Sequence, residues 1–559
     1  MGRTEAGNYW QPSSFSRRRL LGAATAGAAG GLLASCDGSP KKPSHPAGSA
    51  TGAVTAAAGT PRQGGVWRQA TLVQAPHFSP FHPGADASFV NPWRREFGYY
   101  ERLWDYGQTD DERQNKKYHL IYRLAESSEQ VDPTTVIVKL KQTSFHNRPP
   151  ANGRPVTAGD VAAVIEFLKH PPASGGAFIQ SGKDLKSVTA IDDHTLRFEL
   201  FGPRALFYEE VNAPLLTVPK EMLDEQTLKT QPPIGNGPYM FKSSQQGSRE
   251  EAERNPTYYL PGRPYPNGKL LTFLPDLAAI EAAFRAGQID DIGFSDVKQA
   301  QSVTGDLGNK IVSGAVPSLS GLALLLNIHR PPFNDARVRE AIYRAVNVQS
   351  VIDTVWFGAG RRSWYFSDAF FARFPIGFDA VKQYVDVDPQ KAADLFKAAG
   401  VDPNHSYDFI VSTESQPSLD AARLLSEDLG KVGLKTRIVP VPRNIQLQRA
   451  GPKPGDFDLT FSVLLDYVFA QTHSGTFWDC TSLEDPEVDA LVARVRQTVD
   501  NDQRAQFSHQ FETALAQKYS PLFPLLSLTE HYASYSYMKG ISKQSGWQSY
   551  QPDRWIDKG

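Results

Sequence analysis

Pro155-Val156-Thr157-Ala158-Gly159-Asp160-Val161-Ala162-Ala163-Val164-Ile165-Glu166-Phe167-Leu168 joins a helix-start signal to a helical apolar pattern. Thr157 stands where a helix takes its N-cap and Asp160 is the acidic third position of a capping pair. Val161, Val164, Ile165 and Leu168 then recur at helical spacing, which predicts an amphipathic helix. On either side, Thr135–Leu140 and Thr195–Leu200 alternate in the strand period. The same alternation of elements continues downstream. Asp388-Pro389-Gln390-Lys391 starts a helix that ends at Ala398-Ala399-Gly400, and Ala421–Leu429 is a third helix, closed by Gly430. Val432–Val439 follows as a strand. Strands alternating with helices, without a solenoid or propeller repeat, predict α/β architecture.

Composition excludes several classes. The 559 residues are 40% hydrophobic and 21% charged, enough apolar surface for a large core and too little charge for a disordered chain. At about 150 residues per domain, length alone suggests three or four domains. With 59 basic and 60 acidic residues, a broadly basic nucleic-acid binder is excluded. The two cysteines, Cys36 and Cys480, cannot build a cysteine-rich zinc module or a disulfide scaffold.

Residues 1–36 read as an export signal. Ser16-Arg17-Arg18-Arg19 is a basic cluster of the twin-arginine type, and Leu20–Ser35 carries no charge. That run is too short and too rich in Ala and Gly to span a bilayer, which takes about 20 strongly apolar residues. It closes in Leu33-Ala34-Ser35-Cys36, a lipoprotein processing site at which Cys36 takes the lipid. An ordinary signal peptide with an incidental cysteine is the alternative. Residues 37–63 are a tether of Gly, Ser, Pro, Ala, Thr and Lys, which cannot offset its ordering entropy by burial. Removal of residues 1–36 takes away four Arg and one Glu, leaving 55 basic and 59 acidic residues, a net charge of −4. The expected mature protein is exported, lipid-anchored and otherwise soluble.

Catalytic motifs are missing. There is no His-Glu-x-x-His, Gly-x-Ser-x-Gly or Cys-x-x-Cys. Ser181-Gly182-Lys183 lacks the preceding glycine of a phosphate loop and continues with Asp184. His146, His194, His473 and His531 lack ligand spacing, and Cys480 reads as a packed residue. No catalytic residue, metal site or cofactor is expected.

An ordered series of motifs instead resembles the extracytoplasmic solute-binding proteins of family 5, the peptide- and nickel-type receptors of ABC importers. Gly64-Gly65-Val66-Trp67 looks like the opening strand; Leu124–Ser127, Phe145-His146 and Pro155–Val161 look like the most diagnostic block. Val188–Leu200 and Val218-Pro219-Lys220 follow, then Pro233–Phe241, Glu253–Tyr259 and Phe284–Asp290. Asn327 with Pro331–Ala341 fits the start of a second lobe, so the resemblance spans about 64–540. Many of these residues read as structure in their own right. Gly235-Asn236-Gly237-Pro238 suggests positive-φ positions leading into a strand. Asn334-Asp335 caps a helix with Val338, Ala341 and Ile342 on its apolar stripe; Arg337 and Arg339, off that stripe, read as solvated or salt-bridged.

The resemblance implies a two-lobed periplasmic-binding-protein-like fold of type II, in the large peptide-binding class, with an extra subdomain on the first lobe. Lobe I is expected over 64–315 and 525–559, its subdomain over about 106–229, and lobe II over 316–524. It further implies a non-enzymatic receptor, monomeric and extracytoplasmic, that captures an oligopeptide-like solute between its lobes and passes it to permease subunits. Oligosaccharide or nickel–chelate receptors are the alternatives within the binding class, and a secreted hydrolase on a similar fold lies outside it. Asp466, beside Tyr467, is expected to anchor a peptide amine, since a buried ammonium needs a charged partner; an ordinary loop carboxylate is the competing reading. Val468-Phe469-Ala470-Gln471 departs there from the acidic, proline-containing run usual in the family. Arg361, Arg362, Trp364 and Tyr365 follow the Gly358-Ala359-Gly360 turn, where the family presents a loop to the cleft. Phe89, Phe178 and Phe294 fall near ligand-facing segments of the first lobe. Core packing is the competing reading for these aromatic residues, and exposed charge for the arginines.

Overall fold

The computed structural model describes residues 60–72, 77–81, 97–107, 119–170, 179, 182–212, 215–294, 296–362, 364–365, 376–450, 455–464, 483–540 and 553–558. In chain order the first half contains β1 (Val66–Thr71), the pair β2 (Trp104–Gly107) and β3 (His119–Tyr122), then β4 (Ala125–Asp132) and β5 (Thr135–Leu140). Helix α1 (Ala158–Leu168) precedes β6 (Leu185–Asp192), β7 (Thr195–Leu200), α2 (Phe207–Asn212) and α3 (Glu225–Thr230). After β8 (Tyr239–Gln245), β9 (Arg249–Arg254) and β10 (Gly268–Phe273) come α4 (Leu277–Arg285), β11 (Asp291–Phe294) and α5 (Val297–Leu307).

The long strand β12 (Ile311–Leu326) leads into the second half. There α6 (Ala336–Ala345), α7 (Val348–Val355), β13 (Gly360–Arg361), α8 (Phe378–Val385) and α9 (Pro389–Ala398) follow. Next are β14 (Ser406–Ser412), α10 (Gln416–Lys431), β15 (Lys435–Val441), α11 (Arg443–Ala450) and β16 (Leu459–Leu464). The chain returns through α12 (Pro486–Gln497), α13 (Asn501–Gln517) and β17 (Leu522–Tyr535), and ends in the pair β18 (Met538–Lys539) and β19 (Trp555–Ile556).

Sheet order explains the layers. β1-β10-β9-β8 and β4-β5-β7-β6 are four-stranded sheets of the first half, and β11-β17-β12-β16-β14-β15 is a larger sheet with β13 added beside β17. Three apolar cores follow. One gathers residues between Phe81 and Leu271; a smaller one joins α4, β11 and α5 to Ile311 and Ala533. The largest gathers residues from Leu322 to Leu526 across the second half, joined by Leu206 of the first. The architecture is two-lobed α/β.

Around the diagnostic block, expectation and structure agree closely. Thr157 caps α1, whose buried face is Val161, Val164, Ile165 and Leu168. Asp160 is fully buried, and its carboxylate accepts from the Thr157 main-chain N–H at 3.0 Å and the Thr157 hydroxyl at 2.9 Å. Arg154 grips the same carboxylate with two N–H groups, at 2.9 and 2.6 Å, and the Lys220 N–H adds a bond at 3.2 Å. Asp160 therefore ties the Arg154–Thr157 stretch to the Lys220 segment as well as capping a helix.

Other expectations need correction. Gly235 and Gly237 are not positive-φ residues; a Cβ on either would lie 2.2 Å from the main-chain oxygen of Tyr99 or Gly98. Close backbone approach, rather than turn geometry, demands glycine there. Helix α10 starts at Gln416 and passes through Gly430 to Lys431, so β15 begins only at Lys435, after Gly433 at φ 103. Arg337 is exposed and paired with Asp335, as expected. Arg339 is instead buried, donating to the carbonyls of Tyr519 at 2.6 Å and of Phe333 and Asn334 at 3.0 Å.

Candidate functional site

The antiparallel pair β12–β17 is the part of the fold that belongs to both lobes. Its register runs from Ile311 opposite Tyr535 to Leu325 opposite Leu522. One end is embedded in the largest core through Leu322–Leu326 and Leu522–Leu526, and the other in the smallest core through Ile311 and Ala533. Between these anchors Leu528, Thr529, Glu530 and His531 are half-exposed, whereas β17 is buried on both sides of them. An interior strand loses its cover where it crosses from one lobe to the other. The ladder is also irregular there, with a register shift between Pro317 and Gly321, and a second at the edge of the anchor between Leu322 and Ala323. Bulges and a proline that donates no hydrogen bond loosen pairing and permit bending.

Three elements surround this crossing. β13 pairs Gly360 with Leu528 and Arg361 with Ser527, which leaves the Arg361 side chain exposed. A Cβ on Gly360 would meet Leu526 at 2.8 Å, so glycine lets the short strand lie against β17. Helix α5 points its N-terminus at the same region, capped by Asp296, which accepts from the Lys298 N–H at 2.6 Å and the Gln299 N–H at 3.3 Å. Lys298 then reaches over the Phe357 ring, 3.7 Å from its centroid. Because α5 packs in the smallest core and α7, which Phe357 follows, in the largest, this cation–π contact spans the lobes. Phe357 is 46% exposed and sits at φ 51, an uncommon backbone state for a bulky side chain. Burial pushes the His531 imidazole below its usual range, against the pull of the Asp296 carboxylate.

The residues singled out from the sequence fall into three groups. Arg361 lies beside the crossing. Arg362 is half-buried over the Phe378 ring at 4.7 Å, and burial lowers its guanidinium to about 10. Its Nε and Nη2 have no hydrogen-bond partner among the described residues. Trp364, Tyr365 and Phe294 correct the cleft expectation, because all three are core residues. The Trp364 Nε1 donates to the Glu512 carbonyl at 2.9 Å, and the Tyr365 hydroxyl donates to the Leu522 carbonyl. Phe294 is buried in the smallest core. The polar atoms of Trp364 and Tyr365 are engaged by main chain, and all three rings are buried away from solvent. Asp466, Tyr467, Phe89, Phe178 and the lipidation residue Cys36 lie outside the described residues.

Lys298, Phe357, Thr529 and Glu530 were not found by motif reading. The readable signals were weak: Pro317 inside a long apolar strand and Asp296 before a helix. Together with Arg361 they give the crossing guanidinium, ammonium and carboxylate groups beside an irregular strand ladder. That mixture suits a polar, charged solute. Among the described residues no group of three or more His, Cys, Asp or Glu could hold a metal ion, and no helix is long and apolar enough to cross a membrane.

Comparison with known proteins identifies the family and the fold. Residues 119–483 match the family profile described as bacterial extracellular solute-binding proteins, family 5 Middle. The di/tripeptide-binding protein 1 of Pseudomonas aeruginosa is 24% identical over 65% of this chain and 70% of its own. The oligopeptide-binding protein AppA of Bacillus subtilis is 25% identical over 76% of this chain and 77% of its own. The structure of AppA with a nonapeptide covers 89% of this chain and 100% of its own, at TM-score 0.72 and 22% identity. NikZ from Campylobacter jejuni, solved with Ni(L-His), covers 88% of this chain and 99% of its own, at TM-score 0.71 and 20% identity. The two-lobed fold is shared by all of these structures, and the chain belongs to the family 5 extracellular solute-binding proteins.

Proposed function

We propose that this chain is the lipid-anchored receptor of an ABC importer, which captures an oligopeptide-like solute between its lobes and delivers it to the permease subunits. The observation that carries this reading is the half-exposed, charged stretch of β17 where two long strands cross between separate cores. A bending floor with charges on it is what a receptor needs to close on a zwitterionic ligand. The peptide-binding relatives support the ligand class. In this reading lobe I comprises 64–315 and 525–559, with its subdomain at about 106–229, and lobe II comprises 316–524. Residues 1–36 are the signal, Cys36 carries the lipid, and 37–63 form the tether. The receptor acts as a monomer, without catalytic chemistry.

Asp466, beside Tyr467, takes the peptide amine, and Arg361 offers the guanidinium for a carboxylate. Arg362, stacked on Phe378 with unpaired N–H groups, is the reserve cation of that loop. Calorimetry of a di- to nonapeptide library on the mature protein tests the proposal. Asp466→Ala is expected to weaken peptide binding by roughly tenfold or more, the effect of unpairing a buried charge. Unchanged affinity in the variant removes the anchor role. Binding of Ni(L-His) with no binding of any peptide removes the substrate class.

A further inference from the structure

The lobes touch at a second place, on chain segments remote in sequence from the crossing strands. Leu206 and Phe207 are neighbours in the chain but belong to different cores. Phe207 packs in the first-half core with Trp104 and Phe198, at ring distances of 6.2 and 5.2 Å. Leu206, 1% exposed, is buried in the largest core, among residues of the second half. One residue earlier, the Ala205 N–H donates to the Arg496 carbonyl at 2.8 Å. Arg496 lies in the last turn of α12, where helix carbonyls have no partner within the helix, so Ala205 supplies one from the other lobe.

Charge reinforces the contact. Arg204 donates to both oxygens of Glu210, at 2.6 and 3.0 Å, and to Asp184 at 2.8 Å. The Arg496 Nε lies 3.7 Å from the same Glu210. The Glu210 carboxylate thus sits between a guanidinium of its own side and one of the other side.

We propose that Arg204-Ala205-Leu206 is a clasp that biases the ligand-free protein toward its closed arrangement. The proposal rests on the reading of this chain as a receptor whose lobes open and close. Opening on this side must withdraw Leu206 from an apolar core, uncap α12 and separate Glu210 from Arg496. All three costs fall on the open state. The clasp therefore acts before any solute arrives, and it lowers the work left for a solute in closing the lobes.

Hydrogen exchange and small-angle scattering on the ligand-free full chain test this. Leu206→Ser is expected to speed exchange of the Ala205 amide by roughly tenfold or more, the scale set by losing a buried leucine side chain. The radius of gyration should rise, while exchange in the Leu322–Leu326 ladder stays unchanged. Leu206→Met, which keeps the apolar volume, should behave as wild type. Glu210→Gln, a milder change, should shift both readouts in the same direction by less. Equal acceleration at Ala205 and in the ladder would mean that Leu206 supports the fold as a whole, and overturns the proposal. An unchanged radius of gyration, or an unchanged Ala205 rate, overturns it as well. Since neither readout contains a solute, such a failure leaves the solute-binding reading intact.

Discussion

Two regions rich in charge use it in opposite ways. Around α1 and the Gly235–Gly237 loop, the Asp160 carboxylate and the His146 ring are buried and engaged at every polar atom. Asp160 accepts five hydrogen bonds from Arg154, Thr157 and Lys220, and His146 accepts the Gly235 N–H on Nδ1 at 3.3 Å while Nε2 faces the Gly237 carbonyl at 3.0 Å. With Nδ1 accepting, Nε2 carries the proton and donates. At the β12–β17 crossing, by contrast, Thr529, Glu530 and His531 are half-exposed, and Arg361 and Lys298 are exposed. A buried group with every atom engaged can only hold structure. A charge left partly in solvent beside a loosened ladder can meet a ligand and can move. Position in the fold, more than residue type, separates architecture from function here.

The largest expected effect lies in the locked region. Asp160→Asn removes a charge that, against the upward push of burial, the hydrogen bonds from Arg154, Thr157 and Lys220 hold below the usual carboxylate range. Equilibrium urea unfolding should show a loss of about 3 kcal/mol, the scale for breaking a buried pair. Solute affinity measured below the transition should be unchanged. A variant that kept its stability but lost affinity would invert the comparison between the two regions.

A pH test sharpens it next. Burial pushes the Glu101 carboxyl up from 4.5 to about 7, despite the nearby Arg123 and the hydrogen bond from Tyr258 at 2.5 Å. The folded state therefore binds this proton more tightly than the unfolded state. The stability so gained is present below pH 4.5 and is lost as pH rises through about 7, an amount of about 3 kcal/mol. Burial pushes His146 the other way, from 6.5 down to about 4. Its neutral ring favours the folded state above pH 6.5, and that advantage is lost as pH falls toward 4. Across the interval between, the two slopes oppose each other. Stability measured against pH for Glu101→Gln, minus wild type, should rise from pH 4.5 to 7. A flat difference curve would mean that Glu101 is solvated rather than locked.

How far the sequence could be read follows the same division. Thr157 with Asp160, Asp388 with Pro389, and Asn334 with Asp335 announce their helices because the capping partners are within three residues. The fold class and its strand pairs were legible for that reason, and the ordered motifs added the two lobes. What escaped reading depends on distant partners. Arg339 looks solvated until Tyr519, 180 residues later, supplies its carbonyl. Trp364 and Tyr365 look like cleft aromatics until Glu512 and Leu522 take their polar atoms. Gly430 looks like a helix stop, yet the packing of Leu425 and Leu429 carries α10 past it. The contact of Lys298 with Phe357 has no local signal at all.

That contact carries the smallest prediction and the most delicate one. Phe357 holds a left-handed backbone that costs a non-glycine residue about 1 kcal/mol, and its ring is largely in solvent. Its gain is the Lys298 ammonium from the other lobe, worth about 0.5–1 kcal/mol at an exposed site. Phe357→Asn relieves the backbone and deletes the contact, so the two changes nearly cancel. Thermal unfolding should therefore move by no more than a few degrees. Lys298→Met deletes the contact alone and keeps the strain, so it isolates the interlobe term. Solute affinity in that variant should fall by about two- to fivefold, the same 0.5–1 kcal/mol read as binding, with dissociation faster and unfolding unaffected. A drop in unfolding temperature without a change in dissociation would place Lys298 with the locked groups of the first lobe, and would remove the crossing's claim to be the moving part.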